Sequence, residues 1–318
     1  MRICLMIEGQ EDVSWEEWVA LARACEDNGL EGLFRSDHYT SVRGRMDNGS
    51  LDAWATLAAL SAVTERIRLG TCVSPATFRH PSVLAKFVTT ADHVSGGRVE
   101  LGMGAGWSEV EHLAYGFPFY DANTRMEILS EQIEVVHRQW TEPALSFEGN
   151  HYRLKELNAL PKPVQQPHPP LIVGGSAKPK SARLAALWAD EYNILTRSPD
   201  ECRAARERLE TAWAGAGRDP GGLRLSVMTG CVVATDRSEL LDRVRGRLNR
   251  TGESNDPEGW LRHEAREGLV GTVDEVATRL TAMKDSGVDR VMLQHLDHSD
   301  LDTVALIGRE LVPALAPN

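Results

Sequence analysis

The stretch Arg66–Trp107 constrains the fold more than any other part of the chain. Arg66-Ile-Arg-Leu-Gly-Thr-Cys-Val73 carries Ile67, Leu69 and Val73 and breaks at Ser74-Pro75. Arg98-Val-Glu-Leu-Gly-Met-Gly104 alternates Val99, Leu101 and Met103 before Gly104-Ala105-Gly106-Trp107. Short apolar runs that end at turn-forming residues read as strands. Between them Val83, Leu84, Phe87, Val88 and Ala91 recur at helical spacing. A strand, a helix and a strand with short joints make a βαβ unit, so the two strands run parallel and end on the same side. A ligand is expected at those ends.

The unit repeats along the chain. Arg2–Ile7 is an apolar run, and Ser14-Trp-Glu-Glu17 is a capping box for a helix with Trp18, Leu21, Ala22 and Cys25 inward. Gly32–Ser36 is a second strand running into Asp37-His38-Tyr39; Thr40–Ser50 reads as a flap over the strand ends, and residues 52–63 as a helix. After Trp107 an aromatic-rich connection leads to a helix over about 123–140. Residues 141–170 are rich in proline and without period, an excursion too short for a domain. Strands five to eight fall at Pro170–Ser176, Glu191–Leu195, Leu223–Val233 and Gly287–Leu296, with helices at 181–189, 199–214 and 238–248, one opened by Gly271–Glu275 under a Thr272 cap, and a last at 301–315. Residues 249–268 read as irregular. Eight strands alternating with helices, about forty residues per unit, is the pattern of a (β/α)8 TIM barrel: α/β, one domain over residues 1–318, with loop insertions at the C-terminal face.

Charge narrows the partners. With 35 Lys+Arg against 46 Asp+Glu, a formal charge of −11 repels phosphate backbones and anionic lipid surfaces, so no nucleic acid and no membrane partner is expected. The N-terminal apolar run is too short for a signal peptide, and no stretch approaches a membrane span, which makes a cytoplasmic location the expectation. Cys4, Cys25, Cys72, Cys202 and Cys231 are scattered singly, as small core residues in a reducing compartment would be.

A barrel of this kind works at the C-terminal strand ends. That selects Glu8, the pair Asp37 and His38, Cys72 to Thr77, Gly104 to Trp107, Gly174 to Lys178, Asn193 to Thr196, Thr229, and Gln294 with His295. Gly174-Gly175-Ser176 before a helix reads as a phosphate cradle, since glycines let an anion approach free backbone amides; a plain tight turn is the alternative. Gly104-Ala105-Gly106 lets a planar ring lie against the backbone, or merely turns sharply, and no dinucleotide fingerprint opens a helix there. Asp37-His38 offers a carboxylate and an imidazole for proton transfer, with a packed histidine as the alternative. No metal is expected: the nearest cluster, His295-x-x-His298 beside Asp297, is read as a surface turn.

Several ordered segments resemble the bacterial luciferase-like oxidoreductases, in their coenzyme F420-dependent branch, over essentially the whole chain. They are Phe34-Arg-Ser-Asp-His-Tyr39, Asp52-Ala-Trp54, Arg66-Ile-Arg-Leu-Gly-Thr71, Thr77-Phe-Arg-His-Pro81, Ser95 to Trp107, Ala159 to Gln165 and Pro169 to Gly175. The resemblance implies a non-proline cis peptide at Cys72-Val73 that supports the cofactor ring together with Ser74. It implies Asp37 and His38 near the reactive carbon, a ring lined by Gly104, Ala105, Gly106 and Trp107, and a phosphate on Gly174, Gly175 and Ser176. The cofactor it implies is F420, with FMN as the alternative; the partner is a small organic substrate, and the assembly a homodimer. Where the sugar-phosphate dehydrogenases of the family carry a glutamate after the glycine turn, this chain has Trp107, which argues against a sugar phosphate. The expected activity is hydride transfer with His38 handling the proton and Glu8 or Glu109 next in line. FMN-dependent monooxygenation is the nearest rival, and a non-redox phosphate-ligand barrel or binding homologue the rival of another class.

Overall fold

The computed structural model describes residues 1–45, 47–195, 198–266 and 268–316. Eight parallel strands form a closed ring: β1 (Arg2–Ile7), β2 (Gly32–Arg35), β3 (Arg68–Thr71), β4 (Val99–Gly104), β5 (Leu171–Gly174), β6 (Glu191–Leu195), β7 (Arg224–Ala234) and β8 (Arg290–Gln294). Each pairs with the next in chain order, and β8 closes on β1 with Cys4 opposite Met292. The expected TIM barrel is therefore the observed one. Among the described residues no helix is long and apolar enough to cross a membrane.

The strand period of two sorts the core into two layers. Ile3, Leu5, Leu33, Leu69, Leu101 and Val173 face outward and pack under the helices. Cys4, Met6, Phe34, Cys72, Ile172 and Met292 face inward and fill the barrel. All five cysteines are free and buried. The first helix, Trp15–Asp27, starts where its capping box requires, Glu17 N donating to Ser14 Oγ at 3.1 Å and Ser14 N to Glu17 Oε2 at 2.9 Å.

Three stretches hold more structure than their sequence announced. Residues 141–170 contain an antiparallel hairpin, Leu145–Glu148 with Arg153–Leu157. The aromatic connection after Trp107 contains a helix, Glu109–Tyr115. Residues 249–268, expected to be irregular, contain the helix Pro257–Glu264, capped by Asp256 with proline at its first position; Leu269–Thr272 then adds a strand beside Cys231–Ala234. Met46 in the flap, Thr196 after β6 and Glu267 in this last stretch lie outside the described residues.

Charge closes the bottom of the barrel. Arg290 opens β8, Glu100 lies near the start of β4 and Glu191 opens β6, so all three meet at the N-terminal ends. Arg290 Nη2 lies 2.6 Å from a carboxylate oxygen of each, and its guanidinium sits 4.9 Å over the Phe34 ring. Arg68 also pairs with Glu100, and Arg2 reaches Glu31. Burial alone would raise the Glu100 carboxyl, but Arg290 and then Arg68 outweigh it and hold it well below the usual carboxylate range. Replacing Arg290 by methionine leaves Glu191 buried without its close cation and Glu100 with Arg68 alone, and should lower unfolding stability by ~3–5 kcal/mol in urea titrations. A loss under ~1 kcal/mol would show that the ring of charge contributes nothing to holding β4, β6 and β8 together.

Candidate functional site

At the opposite end a cavity of about 490 Å³ opens among the C-terminal strand ends. It gathers His38 from β2, Cys72 and Val73 from the segment after β3, Gly104, Ala105, Gly106 and Trp107 from β4, and Gly174, Gly175 and Ser176 from β5. Glu8, Ser36, Pro75, Asn193, Leu195 and Met228 add to the strand-end lining, and Val42 reaches it from the flap. Asp37 and Ser74, expected here, are not part of the lining.

One wall is built by a valine among glycines. The Cys72-Val73 peptide is cis, as the resemblance implied. A Cβ at Gly104 would stand 2.7 Å from Val73 Cγ2, and one at Gly174 2.9 Å from Val73 Cγ1. At Gly102 it would stand 3.0 Å from Val73 Cγ1 and 2.1 Å from the Thr71 carbonyl oxygen. Only glycine on β4 and at the end of β5 lets the Val73 side chain fill that space. Gly106 has φ +77°, and a Cβ there would press on Thr77 Oγ1 at 2.9 Å.

The glycine pair at the end of β5 has a packing reason beside the one its sequence suggested. A Cβ at Gly175 would meet Tyr192 Oη at 2.6 Å. That hydroxyl accepts from Ala177 N at 3.0 Å and donates to Ser181 Oγ at 2.8 Å, pinning the turn. Gly175→Val would thus break packing under the loop before it met a ligand, and the helix itself begins only at Pro179. Ser176 and the turn's backbone remain facing the cavity.

Asp37 is withheld from the cavity by its partners. Its Oδ2 accepts from Ser74 Oγ at 2.6 Å and from Arg79 Nη1 at 2.6 Å, and Trp54 Nε1 donates to the same Ser74 hydroxyl at 3.1 Å. Tyr39 Oη donates to Asp52 at 2.9 Å and is itself a partner of Arg79. Asp37 and Ser74 therefore buttress the wall from behind, and the carboxylate the sequence put beside His38 is already committed to a guanidinium.

The acid that serves His38 is Glu111, which sequence inspection passed over. It is fully buried on the helix Glu109–Tyr115, and its Oε2 lies 2.7 Å from His38 Nδ1. Its Oε1 accepts the backbone amides of Tyr39 and, at 3.2 Å, Thr40. Glu109, named as a fallback, is exposed at the start of that helix. The signal available was a carboxylate one helical turn past Trp107, on the face a short helix turns to the barrel. With Nδ1–H donated to Glu111, Nε2 is the ring nitrogen without a partner among the described residues, and the ring meets Trp107 edge to face at 5.7 Å. Burial lowers the His38 pKa, but the Glu111 hydrogen bond and the charges of Glu111, Glu8 and Asp37 reverse this and leave it raised.

The helix is itself anchored. His112 Nδ1 donates to the Ser108 carbonyl at 2.6 Å, so its Nε2 accepts from Thr77 Oγ1 at 2.6 Å. Glu8 accepts from Gln10 Nε2 at 2.8 Å and from Gln294. Asn193 donates to Ser226 Oγ at 2.8 Å and accepts from the Cys72 thiol at 3.5 Å. Burial pushes that thiol up to about 12, so Cys72 stays protonated and unreactive. Thr229 is nearly buried with its hydroxyl unpartnered among the described residues. His295 and His298 are buried, not a surface turn, and His295 points out of the barrel toward Arg243.

Residues 2–290 match the family model described as luciferase-like monooxygenase. An uncharacterised protein of Mycobacterium tuberculosis is 38% identical over 170 residues, 54% of this chain, and the match spans only 58% of that relative's length. An F420-dependent glucose-6-phosphate dehydrogenase of Microbacterium testaceum is 28% identical over 91% of this chain and 90% of its own. An FMNH(2)-dependent dimethylsulfone monooxygenase of Pseudomonas putida is 26% identical over 92% and 86%. Among solved structures, a monooxygenase from Streptomyces bottropensis superposes with a TM-score of 0.85 at 24% identity, covering 99% of this chain and 100% of its own, a likeness of fold.

The His38–Glu111 pair has a titration consequence. Glu111→Gln should lower the His38 pKa, read from the ring proton resonances. Because the folded pKa is raised, the charged ring stabilises the fold fully below the unfolded value of about 6.5 and less as pH rises through the folded one. The variant should therefore lose that stabilisation on the acidic side and match the wild type above both values; an unmoved pKa would remove Glu111 from this role.

Proposed function

Because the chain belongs to the luciferase-like monooxygenase family, we propose that it is an F420-dependent oxidoreductase that moves a hydride between the deazaflavin and a small organic substrate. The observation that carries this reading is the His38–Glu111 pair, whose free Nε2 faces a cavity walled on one side by Val73. The fit is one of shape: the valine among glycines leaves a flat wall, and Ser176 with the turn's backbone stands at the far edge for a phosphate. Bound there, the deazaflavin would supply a two-electron carbon acceptor or donor of hydride. The chain's own residues do the rest. Val73, Gly104 and Gly106 hold the ring plane, Trp107 and Val42 cover the substrate side, and His38 Nε2 gives or takes the proton at the substrate oxygen, its charge stabilised by Glu111. FMN-dependent monooxygenation would use the same wall and remains the reading the relatives divide over.

A titration of the purified protein against F420 and FMN should show tight F420 binding, weaker FMN binding and no oxygen consumption. His38→Ala should keep cofactor affinity and slow single-turnover hydride transfer by about 10²–10⁴-fold. Tight FMN binding with oxygen uptake would replace this reading by the monooxygenase one, and binding of neither would leave a non-redox barrel.

We also propose that the protein pairs with a second copy through two adjacent helices. The helix Ala53–Val63 has no charged residue, and Ala55, Ala59, Ala62 and Val63 are exposed on its outer face. On the neighbouring helix Pro81–Ser95, Val83, Phe87 and Val94 form an exposed stripe. A row of alanines and a phenylalanine knob on one face are self-complementary, as a two-fold interface demands. Phe87→Glu should yield a folded monomer by sedimentation equilibrium; a wild type that is already monomeric at micromolar concentration would sink the pairing.

A further inference from the structure

We propose that the cleft between the helices Pro179–Trp188 and Pro199–Gly215 is a subsite for an oligocarboxylate chain, the tail that a deazaflavin cofactor carries beyond its phosphate. The inference rests on the F420 reading above and adds the part of the ligand that the barrel mouth does not accommodate.

The cleft holds about 550 Å³ and begins at Ala177, the residue after Ser176. Ser176 lines the main cavity and the buried Ala177 the cleft, so the two spaces lie on either side of one turn. That turn is fixed from both sides: Tyr192 Oη takes the Ala177 amide, and Arg208 Nε donates to the Ala177 carbonyl at 3.2 Å. A chain leaving the phosphate position has a rigid edge to cross.

The chemistry on the two sides differs. Among the described residues no lysine or arginine lines the main cavity, which contains Glu8. The cleft is the reverse: Arg183 and Arg208 line it, and no carboxylate does. Lys178 and Lys180 stand exposed at its entrance, at the start of the first helix. Lys178, Lys180 and Arg183 make no ion pair among the described residues. In a chain of net charge −11 such a cluster is a local exception, and a polyanion repelled elsewhere is drawn to it. The floor is apolar, with Pro179, Ala182, Leu187 and Ala212, which suits the methylenes between successive carboxylates. A flavin mononucleotide ends at its phosphate and has nothing to put here, so the cleft would select the deazaflavin by its tail.

The test uses the full-length protein and three probes: F420 with its oligoglutamate tail, the form that ends at the lactyl phosphate, and FMN. The tailed form should bind about tenfold more tightly than the tail-less one at low salt, which is what two or three exposed ion pairs supply, and the advantage should vanish in molar salt. Arg183→Glu and Lys180→Glu, neither of which touches the Ala177 turn, should each cut the affinity for the tailed form toward that of the tail-less form. Neither should move the tail-less affinity by more than about twofold. Equal binding of tailed and tail-less forms by the wild type, or variants that weaken both forms alike, would overturn the subsite while leaving the F420 assignment intact. Failure of both deazaflavin forms to bind removes the cofactor assignment, and the subsite with it.

Discussion

The upper half of the barrel depends on where one side chain goes. Val73 occupies volume that Cβ atoms at 102, 104 and 174 would claim, at 2.7–3.0 Å from its methyls. Atoms cannot share space at that separation, so the segment after β3 and the ends of β4 and β5 are mutually specified. A smaller residue at 73 would leave a void, and any side chain at the three glycines would expel the valine. The product is a wall in which the Val73 methyls pack against bare backbone.

The same strand serves both ends of the molecule. Along β4, Glu100, Gly102 and Gly104 share the inward face by the period of two. Glu100 meets Arg290 at the bottom, and the glycines receive Val73 at the top. The bottom charges are buried together, so their attraction offsets a desolvation cost that none could bear alone. They satisfy one another and leave the other end free to hold groups that are only partly satisfied. Thr229 Oγ1, without a partner among the described residues, and His38, which lines the cavity, are of that second kind.

The barrel was legible because its evidence is repeated: eight apolar runs with period two, each followed by a helical pattern, leave one closed topology. The cis peptide was legible through the order of whole motifs, whereas the packing of Val73 among the glycines was not. What escaped notice was non-local or short. Glu111 looks like any acid on a polar helix, and only the packing of Glu109–Tyr115 against the barrel turns it toward His38. Asp37 looked available because sequence adjacency says nothing about Arg79, forty-two positions away, which claims it. Asp256-Pro257 carried a helix-start signal that the surrounding polarity masked, since a helix whose residues are all at least partly exposed shows no apolar stripe strong enough to read.

His38 and the wall come from different strands, and proton transfer demands that their separation be held to a fraction of an ångström. β2 and β3 pair directly only as far as Arg35 and Thr71, below the site. Above that level Asp37 joins the two segments through Ser74 and Arg79, and a second link runs through the helix after β4. Glu111 holds His38 and the Tyr39 and Thr40 amides, while one residue on His112 grips Thr77, which continues the segment that carries Val73. Neighbouring positions on a helix point in different directions, so Glu111 and His112 reach two strands from a single rigid turn. Strands two, three and four are thereby bound into one body around His38 and Val73. The turn after β5, fixed independently by Tyr192 and Arg208, is left to set how far a ligand's anionic end extends.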